Sequence, residues 1–248
     1  MKALILAAGL GTRLYPLTAD TPKALVQVNG MTMLERAIRK LASAGFNEIV
    51  VNVHHHAEKI KDFLRDLDLP GITTAISDES DLLLDTGGAI LKARPFLDDR
   101  DPFLVHNVDV ISNIDLQALL IDHLECGNMA TLSVIDRPTK RYFLFDSEMG
   151  LRGWTDTSTG EIRWTGRPAV NVSRLAFSGI HIISPAFFKV LRQSGRFSII
   201  QTYLDMAVQH PIRGHTQEGA VWFDLGKPEQ LTMASEYIKN HPELNIYP

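Results

Sequence analysis

The sequence contains a single cysteine, Cys126, so no disulfide bond can form within the chain. It also lacks an excess of basic residues: 25 Lys and Arg face 29 Asp and Glu, and the formal net charge is −4. Nucleic-acid binding draws its affinity from clustered Lys and Arg side chains. The charge balance therefore argues against a nucleic acid as the main partner, although it leaves room for a local phosphate site.

Long apolar runs are absent as well. None approaches the roughly 18 residues at which a membrane span becomes plausible. The first residues follow a strand pattern rather than a basic segment followed by an apolar one. We therefore expect a cytoplasmic protein with no membrane partner, and the sequence leaves both monomer and dimer open.

The first half of the chain alternates short apolar runs with amphipathic segments. This alternation is typical of βαβ units around a parallel sheet. A capping box of Thr32 and Glu35 begins one predicted helix, and Gly45 ends it. The predicted strands of this half span residues 3–8, 48–53, 72–76 and 103–107, and a further helix begins near Gly87.

The second half has a different pattern, because strand-like runs separated by turns replace the regular alternation. Trp154 and Trp164 flank a hairpin-like stretch, where we expect them to pack as a pair. The predicted elements are strands at 129–135, 142–145, 161–165, 175–183 and 220–224, and helices at 199–209 and 228–240.

Together the two halves predict an α/β protein. We expect one mixed, mostly parallel sheet flanked by helices, with a small β-rich lobe over the carboxyl ends of the parallel strands. We predict a single domain over residues 1–248, divided into halves at about 1–128 and 129–248.

The stretch "LILAAGLGTRLYPLTADTPKAL", residues 4–25, places two glycines and two cations after the first strand. It is not a dinucleotide fingerprint, because Leu14 stands where a third glycine is needed and the second strand ends without an acidic residue. It is not a P-loop either, because Gly11 is followed by Thr12 and Arg13. The glycines would let backbone N–H groups approach an anion, with Arg13 and Lys23 reaching it from different sides. A glycine turn with solvated charges is the alternative reading of these residues alone.

Two aspartates follow apolar runs at predicted strand ends, where open α/β sheets place their sites. Asp109 comes after "FLVHN", and Asp224 closes "AVWFD". Carboxylates of this kind are ligands that Mg²⁺ accepts, although single strand-end aspartates also serve as helix caps. The histidine run at residues 54–56 is a poor metal site, because adjacent side chains leaving a strand point in opposing directions.

The ordered motifs resemble the signature of the sugar-1-phosphate nucleotidyltransferases. "LILAAGLGTRL" followed by "TPKAL" matches the family's first loop, and "HNVDV" and "WFDLGKPEQL" match its two metal-binding segments. The resemblance implies a Rossmann-like fold and Mg²⁺ held by Asp109 and Asp224. It also implies that Arg13 holds the leaving pyrophosphate and that Lys23 contacts the α-phosphate or sugar phosphate. Val108 departs from the glycine usual in the family, which puts the metal geometry or sugar fit in doubt.

The same resemblance implies a set of binding residues for a nucleoside triphosphate and a sugar 1-phosphate. Arg13, Lys23 and Asp109 are the expected catalytic residues. The expected nucleotide-binding residues are Ala7, Ala8, Gly9, Gly11, Thr12, Arg13, Asp78, Glu79, Thr86, Gly87 and Gly88. The expected substrate-binding residues are Lys23, Asn107, Arg167 and Gly179.

Within the family, the "LDTGGAI" loop and the "WFDLGKPEQL" ending resemble most the uridylyltransferases that act on N-acetylmuramate 1-phosphate in cell-wall sugar recycling. Guanylyltransferases for mannose 1-phosphate or heptose 1-phosphate share these features. A cytidylyltransferase for phosphocholine would use the same phosphate loop. A catalytically silent protein that binds a nucleotide sugar is the alternative from another class, and Val108 is the residue that favours it.

Overall fold

A ten-stranded mixed sheet forms the centre of the computed structural model, which describes residues 1–244. The strands are β1 (Lys2–Leu6), β2 (Gln27–Val28), β3 (Met31–Thr32), β4 (Glu48–Val53), β5 (Thr73–Asp78), β6 (Phe103–Asn107), β7 (Val110–Ser112), β8 (Ala130–Ile135), β9 (Arg141–Phe145), β10 (Leu151–Asp156), β11 (Glu161–Trp164), β12 (Ser173–Ile183), β13 (Ile212–His215) and β14 (Trp222–Asp224). The helices are α1 (Met33–Ser43), α2 (Ala57–Asp66), α3 (Asp85–Lys92), α4 (Arg94–Leu97), α5 (Leu116–Cys126), α6 (Phe187–Val190), α7 (Ile199–Met206) and α8 (Pro228–Asn240).

Four parallel strands, in the order β6-β1-β4-β5, form the block that the first half of the sequence predicts. Ala3 and Ile5 of β1 pack into one hydrophobic layer with α1, α2 and α8, whereas Leu4 packs into a second layer with α3, α6 and α7. Successive side chains of a strand point to opposite faces. The inner strands β6, β1 and β4 are therefore buried on both faces, which explains why they are mostly apolar. The edge strand β5 is more polar and partly exposed.

Strand β12 joins this block to an antiparallel arm. Its second half pairs with β6 and its first half with β9, which in turn pairs with the hairpin of β10 and β11. The register shifts between Phe177 and His181, around Gly179, whose φ is +81°. Such a bulge bends a strand, so that one strand serves both parts of the sheet.

The predicted α/β fold with a mixed sheet flanked by helices is confirmed. Every predicted strand is present within two residues of its expected bounds, and the helix expected at 228–240 is present without a shift. The helix expected near Gly87 begins at Asp85. Two strands of the ten-stranded sheet were not predicted, β10 and β13, whose sequences are interrupted by arginine and glycine and which pair because neighbouring strands hold them in place. The short strands β2, β3 and β7 outside that sheet were not predicted either.

The predicted packing pair of Trp154 and Trp164 is wrong. Trp154 lies opposite Arg163 in the hairpin, and Trp164 lies opposite Gly153. Residues opposite each other across a ladder share a face, and successive residues alternate. The two indoles therefore lie on opposite faces of the hairpin, and Trp154 instead has the Arg163 guanidinium carbon 5.4 Å from its ring centroid.

No helix among residues 1–244 is both long enough and apolar enough to cross a membrane.

Three histidines are buried in the sheet and its flanking layer. Burial lowers the pKa of His181 to about 3 and those of His106 and His123 to about 4. His123 hydrogen-bonds to Thr131 and Ser184, whereas neither ring nitrogen of His181 has a hydrogen-bond partner among the described residues. All three rings are therefore neutral in the folded protein near pH 7.

Because of these three buried histidines, we expect the folded protein to lose stability in mild acid. Their pKa values in the folded protein lie below the ordinary value of 6.5, so the unfolded chain takes up protons first. Their stabilising effect is complete above pH 6.5 and is lost as the pH falls toward 4. Between pH 7.5 and 5.5 each histidine should cost about 1 kcal/mol of unfolding free energy, measured by urea denaturation.

The variant His181→Leu tests this directly, because leucine fills a similar volume without titrating. The difference in unfolding free energy between pH 7.5 and 5.5 should shrink by about 1 kcal/mol in this variant. An unchanged difference would show that His181 does not contribute to the acid sensitivity.

Candidate active site

The loop after β1 turns sharply at Gly11. This residue has φ +67°, and its carbonyl oxygen accepts hydrogen bonds from Leu14 N and Thr18 Oγ1 at 2.9 and 2.8 Å. A Cβ atom at Gly11 would lie 2.9 Å from Thr18 Cγ2 and 3.1 Å from Lys23 Cβ. Glycine is therefore required for the approach of this turn to Lys23.

A buried asparagine holds the start of the same loop. Asn52 of β4 accepts hydrogen bonds at Oδ1 from Ala7 N and Ala8 N, at 2.6 and 3.3 Å, and donates from Nδ2 to Glu79 Oε1 at 2.8 Å. Glu79 Oε2 accepts from Leu84 N at 3.1 Å. The hydrogen-bonded pair of Asn52 and Glu79 therefore ties strand β4 to the loops after β1 and β5.

The small ribbon of β7 and β14 brings the two aspartates together. Val110 pairs with Asp224 across the ribbon, and Leu225 N donates a hydrogen bond of 2.8 Å to the carbonyl oxygen of Asp109. The two acidic residues, distant in sequence, thus become neighbours at the carboxyl end of β6. This is the edge of a parallel sheet where open α/β folds place their sites.

Lys40 of α1 supports this ribbon. Its Nζ atom donates hydrogen bonds to the carbonyl oxygens of Ser112 and Ile114, at 2.8 and 2.9 Å. Burial lowers the pKa of Lys40 to about 8. A single buried side chain therefore fixes the backbone where β7 ends.

Cations lie beside both aspartates. Lys23 Nζ donates to Asp109 Oδ2 in a mostly buried ion pair. The Arg13 guanidinium lies against Gly226, where a Cβ atom would be only 2.5 Å from Nη2. Gly226 N in turn donates to Asp224 Oδ1 at 2.9 Å.

The pKa of Asp224 is raised, first by burial and second by the negative charge of Asp109. The positive charges of Lys23 and Arg13 act in the opposite direction. Asp109 therefore lies close enough to Asp224 to disfavour the ionised form of the Asp224 carboxyl. Additional positive charge would stabilise the Asp224 carboxylate as an anion.

A cavity of about 380 Å³ lies next to these charges at the carboxyl ends of the parallel strands. Its lining includes residues that the sequence predicted: Ala7, Ala8, Gly9, Lys23, Glu79, Thr86, Asn107 and Asp109. Val108, which stands where the family usually has glycine, also lines the cavity. The remaining lining residues were not predicted from the sequence: Leu6, Asn52, Leu83, Asp85, Ala89 and Arg196.

Of the three residues of α3 predicted to bind the nucleotide, Thr86 lines the cavity, whereas Gly87 and Gly88 do not. A Cβ atom at Gly87 would lie 2.4 Å from the Phe197 ring, and one at Gly88 would lie 2.4 Å from the carbonyl oxygen of Gly195. These glycines therefore permit close packing against the segment before α7. Thr86, which lines the cavity, accepts a hydrogen bond at Oγ1 from Ile199 N at 3.0 Å.

Other predicted residues lie outside the cavity lining. Thr12 and Arg167 are exposed. Asp78 forms an ion pair with Lys61 at 2.7 Å and accepts a hydrogen bond from Ser80, and these contacts hold the pKa of Asp78 far below its usual range.

Gly179 contacts the cavity through Asn107. A Cβ atom at Gly179 would lie 2.6 Å from Asn107 Nδ2, and Asn107 itself lines the cavity. The bulge of β12 therefore leaves space for the Asn107 side chain.

Val108 causes no backbone strain. Its φ is not positive, its N–H donates to the carbonyl oxygen of Leu6 at 3.1 Å, and its side chain is buried in the hydrophobic layer. A β-branched residue is compatible with this turn between β6 and β7, so the absence of the usual glycine does not disturb Asp109 through the main chain.

Among residues 1–244, no three His, Cys, Asp or Glu side chains come together as a metal site. His54 instead hydrogen-bonds through Nδ1 to the carbonyl oxygen of Glu79 at 2.6 Å. The candidate metal ligands are therefore the pair of Asp109 and Asp224.

Asn52 and Arg196 are parts of the site that were not predicted from the sequence. Asn52 had a signal, because it is the polar residue within the apolar strand "EIVVNV". Arg196 had none, because it is an exposed arginine of an irregular segment whose approach to the cavity depends on how α7 packs against α3.

An open α/β sheet with a cationic glycine loop and an acidic pair at its strand ends defines a phosphate-handling protein. The comparison with known families makes the assignment finer, because the family described as "Nucleotidyl transferase" matches residues 2–241. The chain belongs to the nucleotidyl transferase family, and the enzyme class predicted from the motifs is confirmed.

Individual relatives cover most of the chain. It is 34% identical, over 91% of its length and 93% of the relative's, to the N-acetylmuramate alpha-1-phosphate uridylyltransferase of Neisseria meningitidis serogroup B. It is 28% identical, over 93% of its length, to the mannose-1-phosphate guanylyltransferase catalytic subunit beta of Dictyostelium discoideum, of which it spans 62%. The solved UDP-glucose pyrophosphorylase of Acinetobacter baumanii has the same fold, with a TM-score of 0.81 at 17% identity over 98% of this chain and 95% of that one.

Because Gly179 lies so close to Asn107, we expect a single methyl group added at Gly179 to affect both stability and activity. Gly179→Ala should lose roughly 1–2 kcal/mol from the left-handed backbone and more from the clash with Asn107, and it should lower activity by moving that side chain. Thermal unfolding and turnover measure the two effects.

Gly160→Ala is the matched control, because Gly160 has φ +76° but nothing within 4 Å of its Cβ position. It should lose only the backbone contribution and keep full activity. Equal losses of stability and activity in the two variants would contradict the role of the Gly179–Asn107 contact.

Proposed function

We propose that the protein transfers a nucleotidyl group from a nucleoside triphosphate to a sugar 1-phosphate and releases pyrophosphate. The observation that carries this proposal is the arrangement of charges at the strand ends. Lys23 pairs with Asp109, and Arg13 lies by Gly226 next to Asp224. The adjoining cavity, at about 380 Å³, is within the range of small-molecule sites.

The proposed reaction needs no general base, because the sugar phosphate is already an anionic nucleophile. One of its oxygens bonds to the α-phosphorus, while the bond from that phosphorus to the oxygen of the departing pyrophosphate breaks. Such transfer depends on positioning and on offsetting charge. Lys23 would contact the α-phosphate or the sugar phosphate, and Arg13 would bind the pyrophosphate.

We include Mg²⁺ in the proposal, with Asp109 and Asp224 as its protein ligands. Mg²⁺ prefers oxygen donors and is usually held by one or two carboxylates together with waters and substrate phosphates. Two neighbouring carboxylates, of which Asp224 has its pKa raised by burial and by Asp109, fit this ligand set. The bound ion would offset phosphate charge.

For the substrates we propose UTP and N-acetylmuramate 1-phosphate, which would assign the protein to cell-wall sugar recycling. The name and near-complete coverage of the Neisseria relative support this pair. In this proposal the base lies in the cavity between Gly9 and Thr86, both of which line it. Asn107, with Gly179 behind it, would contact the sugar phosphate.

A guanylyltransferase that acts on mannose 1-phosphate is the second candidate, favoured by the name of the Dictyostelium relative. A heptose 1-phosphate guanylyltransferase belongs to the same class. A catalytically silent protein would bind a nucleotide sugar but release no pyrophosphate from any pair of substrates. The retention of Arg13, Lys23 and both aspartates argues against that reading.

Replacing one aspartate tests the proposed chemistry. Asp109→Asn keeps the side-chain shape but removes a charge from the metal and phosphate centre, so pyrophosphate release should fall at least ~100-fold while the circular dichroism spectrum is unchanged. Asp66→Asn, at an exposed position of α2, is the control and should keep full activity. Near-normal turnover by Asp109→Asn would refute the assignment.

The substrate pair is tested by a matrix of assays. Pyrophosphate release is measured for the four nucleoside triphosphates, each with the 1-phosphates of N-acetylmuramate, N-acetylglucosamine, glucose, mannose and heptose. We expect the highest kcat/KM for UTP with N-acetylmuramate 1-phosphate and loss of all activity in EDTA, reversed by Mg²⁺. If GTP with mannose 1-phosphate is preferred, the proposed substrates are wrong, but the assignment as a sugar-1-phosphate nucleotidyltransferase stands.

A further inference from the structure

A second cavity, of about 340 Å³, lies between the antiparallel arm and α7. Three arginines line it, namely Arg137, Arg141 and Arg163, and no residue in its lining is acidic. Arg141 pairs with Asp156 at 3.1 Å and Arg163 with Glu161 at 2.7 Å, whereas Arg137 has no ion pair among the described residues. The first cavity differs, because its lining contains Glu79, Asp85 and Asp109 beside its cations. The positive charge of Arg137 is therefore available in this cavity, named here the arginine cavity, to a negatively charged group.

Arg137 has unused hydrogen-bonding capacity in this cavity. Its guanidinium carbon lies 4.0 Å from the ring centroid of Trp222, and its Nη2 donates to the carbonyl oxygen of Phe177 at 3.3 Å. Its Nε is buried and has no hydrogen-bond partner among the described residues. Beyond the bond from Nη2, the terminal nitrogens of Arg137 make no hydrogen bond with the described residues, so these donors can bind a ligand oxygen.

Arg137 is also held firmly in place. Trp222 Nε1, beneath its guanidinium, donates to the carbonyl oxygen of Ser178 at 2.8 Å. Trp222 begins β14, the strand that ends at Asp224. The arginine cavity and the acidic pair are thus connected by one short strand.

Two short stretches of chain run from one cavity to the other. Phe177 lines the arginine cavity, while Gly179, two residues on, contacts Asn107 of the first cavity. Ser198 lines the arginine cavity, while Arg196 lines the first. Two residues of extended chain span at most about 7 Å, so a molecule the size of a sugar could contact both cavities.

The remaining walls suit a sugar ring. Trp154 and Phe177 supply aromatic surface, and ligand sites commonly combine such surface with a few polar groups that fix orientation. Arg163 lies over Trp154 and donates from Nη1 to Gln201 at 2.7 Å, so its guanidinium is held at the cavity wall.

We propose that the arginine cavity binds a carboxylate carried by the sugar, so that the acceptor is a sugar 1-phosphate with a second acidic group. This inference rests on the proposed function and names the substrate class of the same site. Arginine forms paired hydrogen bonds with a carboxylate through its planar fork of donors. N-acetylmuramate carries such a carboxylate on its lactyl ether, and N-acetylglucosamine is the same sugar without it.

The test compares these two sugar 1-phosphates with UTP as the donor. In the unaltered protein, kcat/KM should favour the muramate sugar by roughly tenfold to a hundredfold, the range that charged hydrogen bonds contribute. Arg137→Gln and Arg163→Gln should raise KM for the muramate sugar by a similar factor and leave KM for the glucosamine sugar unchanged. Arg137→Lys should keep part of the preference.

Arg174→Gln is the control, because Arg174 is an exposed arginine of β12 outside both cavities. It should leave both KM values unchanged. Variants that lose activity equally on both sugars would assign these arginines to the fold rather than to carboxylate binding and would overturn the proposal.

A competition assay needs no variant. Free N-acetylmuramate should inhibit the unaltered protein at roughly tenfold lower concentration than free N-acetylglucosamine, and equal inhibition would overturn the proposal. If pyrophosphate forms without any preference for the acidic sugar, this inference and the proposed sugar fail, while the proposed nucleotidyl transfer stands. If no pair of substrates yields pyrophosphate, the proposed function fails and this inference fails with it.

Discussion

The structure depends on holding two carboxylates of like charge side by side. Asp109 and Asp224 are joined by the ribbon of β7 and β14 and by the hydrogen bond from Leu225 N to the carbonyl oxygen of Asp109. Their repulsion has to be offset, and Lys23 and Arg13 are the cations that the first loop supplies. The glycine turn, the buried ribbon and the strand order all serve to bring these four charges together.

Around this centre the fold assigns different chemistry to its two halves. The parallel block provides a cavity whose walls are loop backbone, tied together by Asn52 and Glu79. The antiparallel arm provides a cavity lined by arginine and aromatic side chains. The bulged strand β12 passes between the two, so a change near Gly179 affects both.

The fold and the charged centre could be predicted from the sequence, because both depend on local patterns. Apolar runs indicate the strands, and aspartates at strand ends meet at one edge of a parallel sheet. The arginine cavity could not be predicted in this way. Arg137, Arg141 and Arg163 lie on separate segments, and their meeting depends on β9, β10 and α7 packing around a strand bulge. The predicted packing of Trp154 against Trp164 was wrong for a similar reason, because a shift of one residue in register decides which face of a strand a side chain occupies.

The central claim is that the centre formed by Asp109, Asp224, Lys23 and Arg13 joins a sugar phosphate oxygen to the α-phosphorus of a nucleotide. The most direct measurement is ³¹P NMR of the product formed from UTP and a sugar 1-phosphate whose terminal phosphate oxygens carry ¹⁸O. The account predicts a nucleotide sugar whose α-phosphorus signal shows the isotope shift of one ¹⁸O in the bridge. Release of pyrophosphate with an unlabelled α-phosphorus, or with free nucleoside monophosphate as the product, would contradict it.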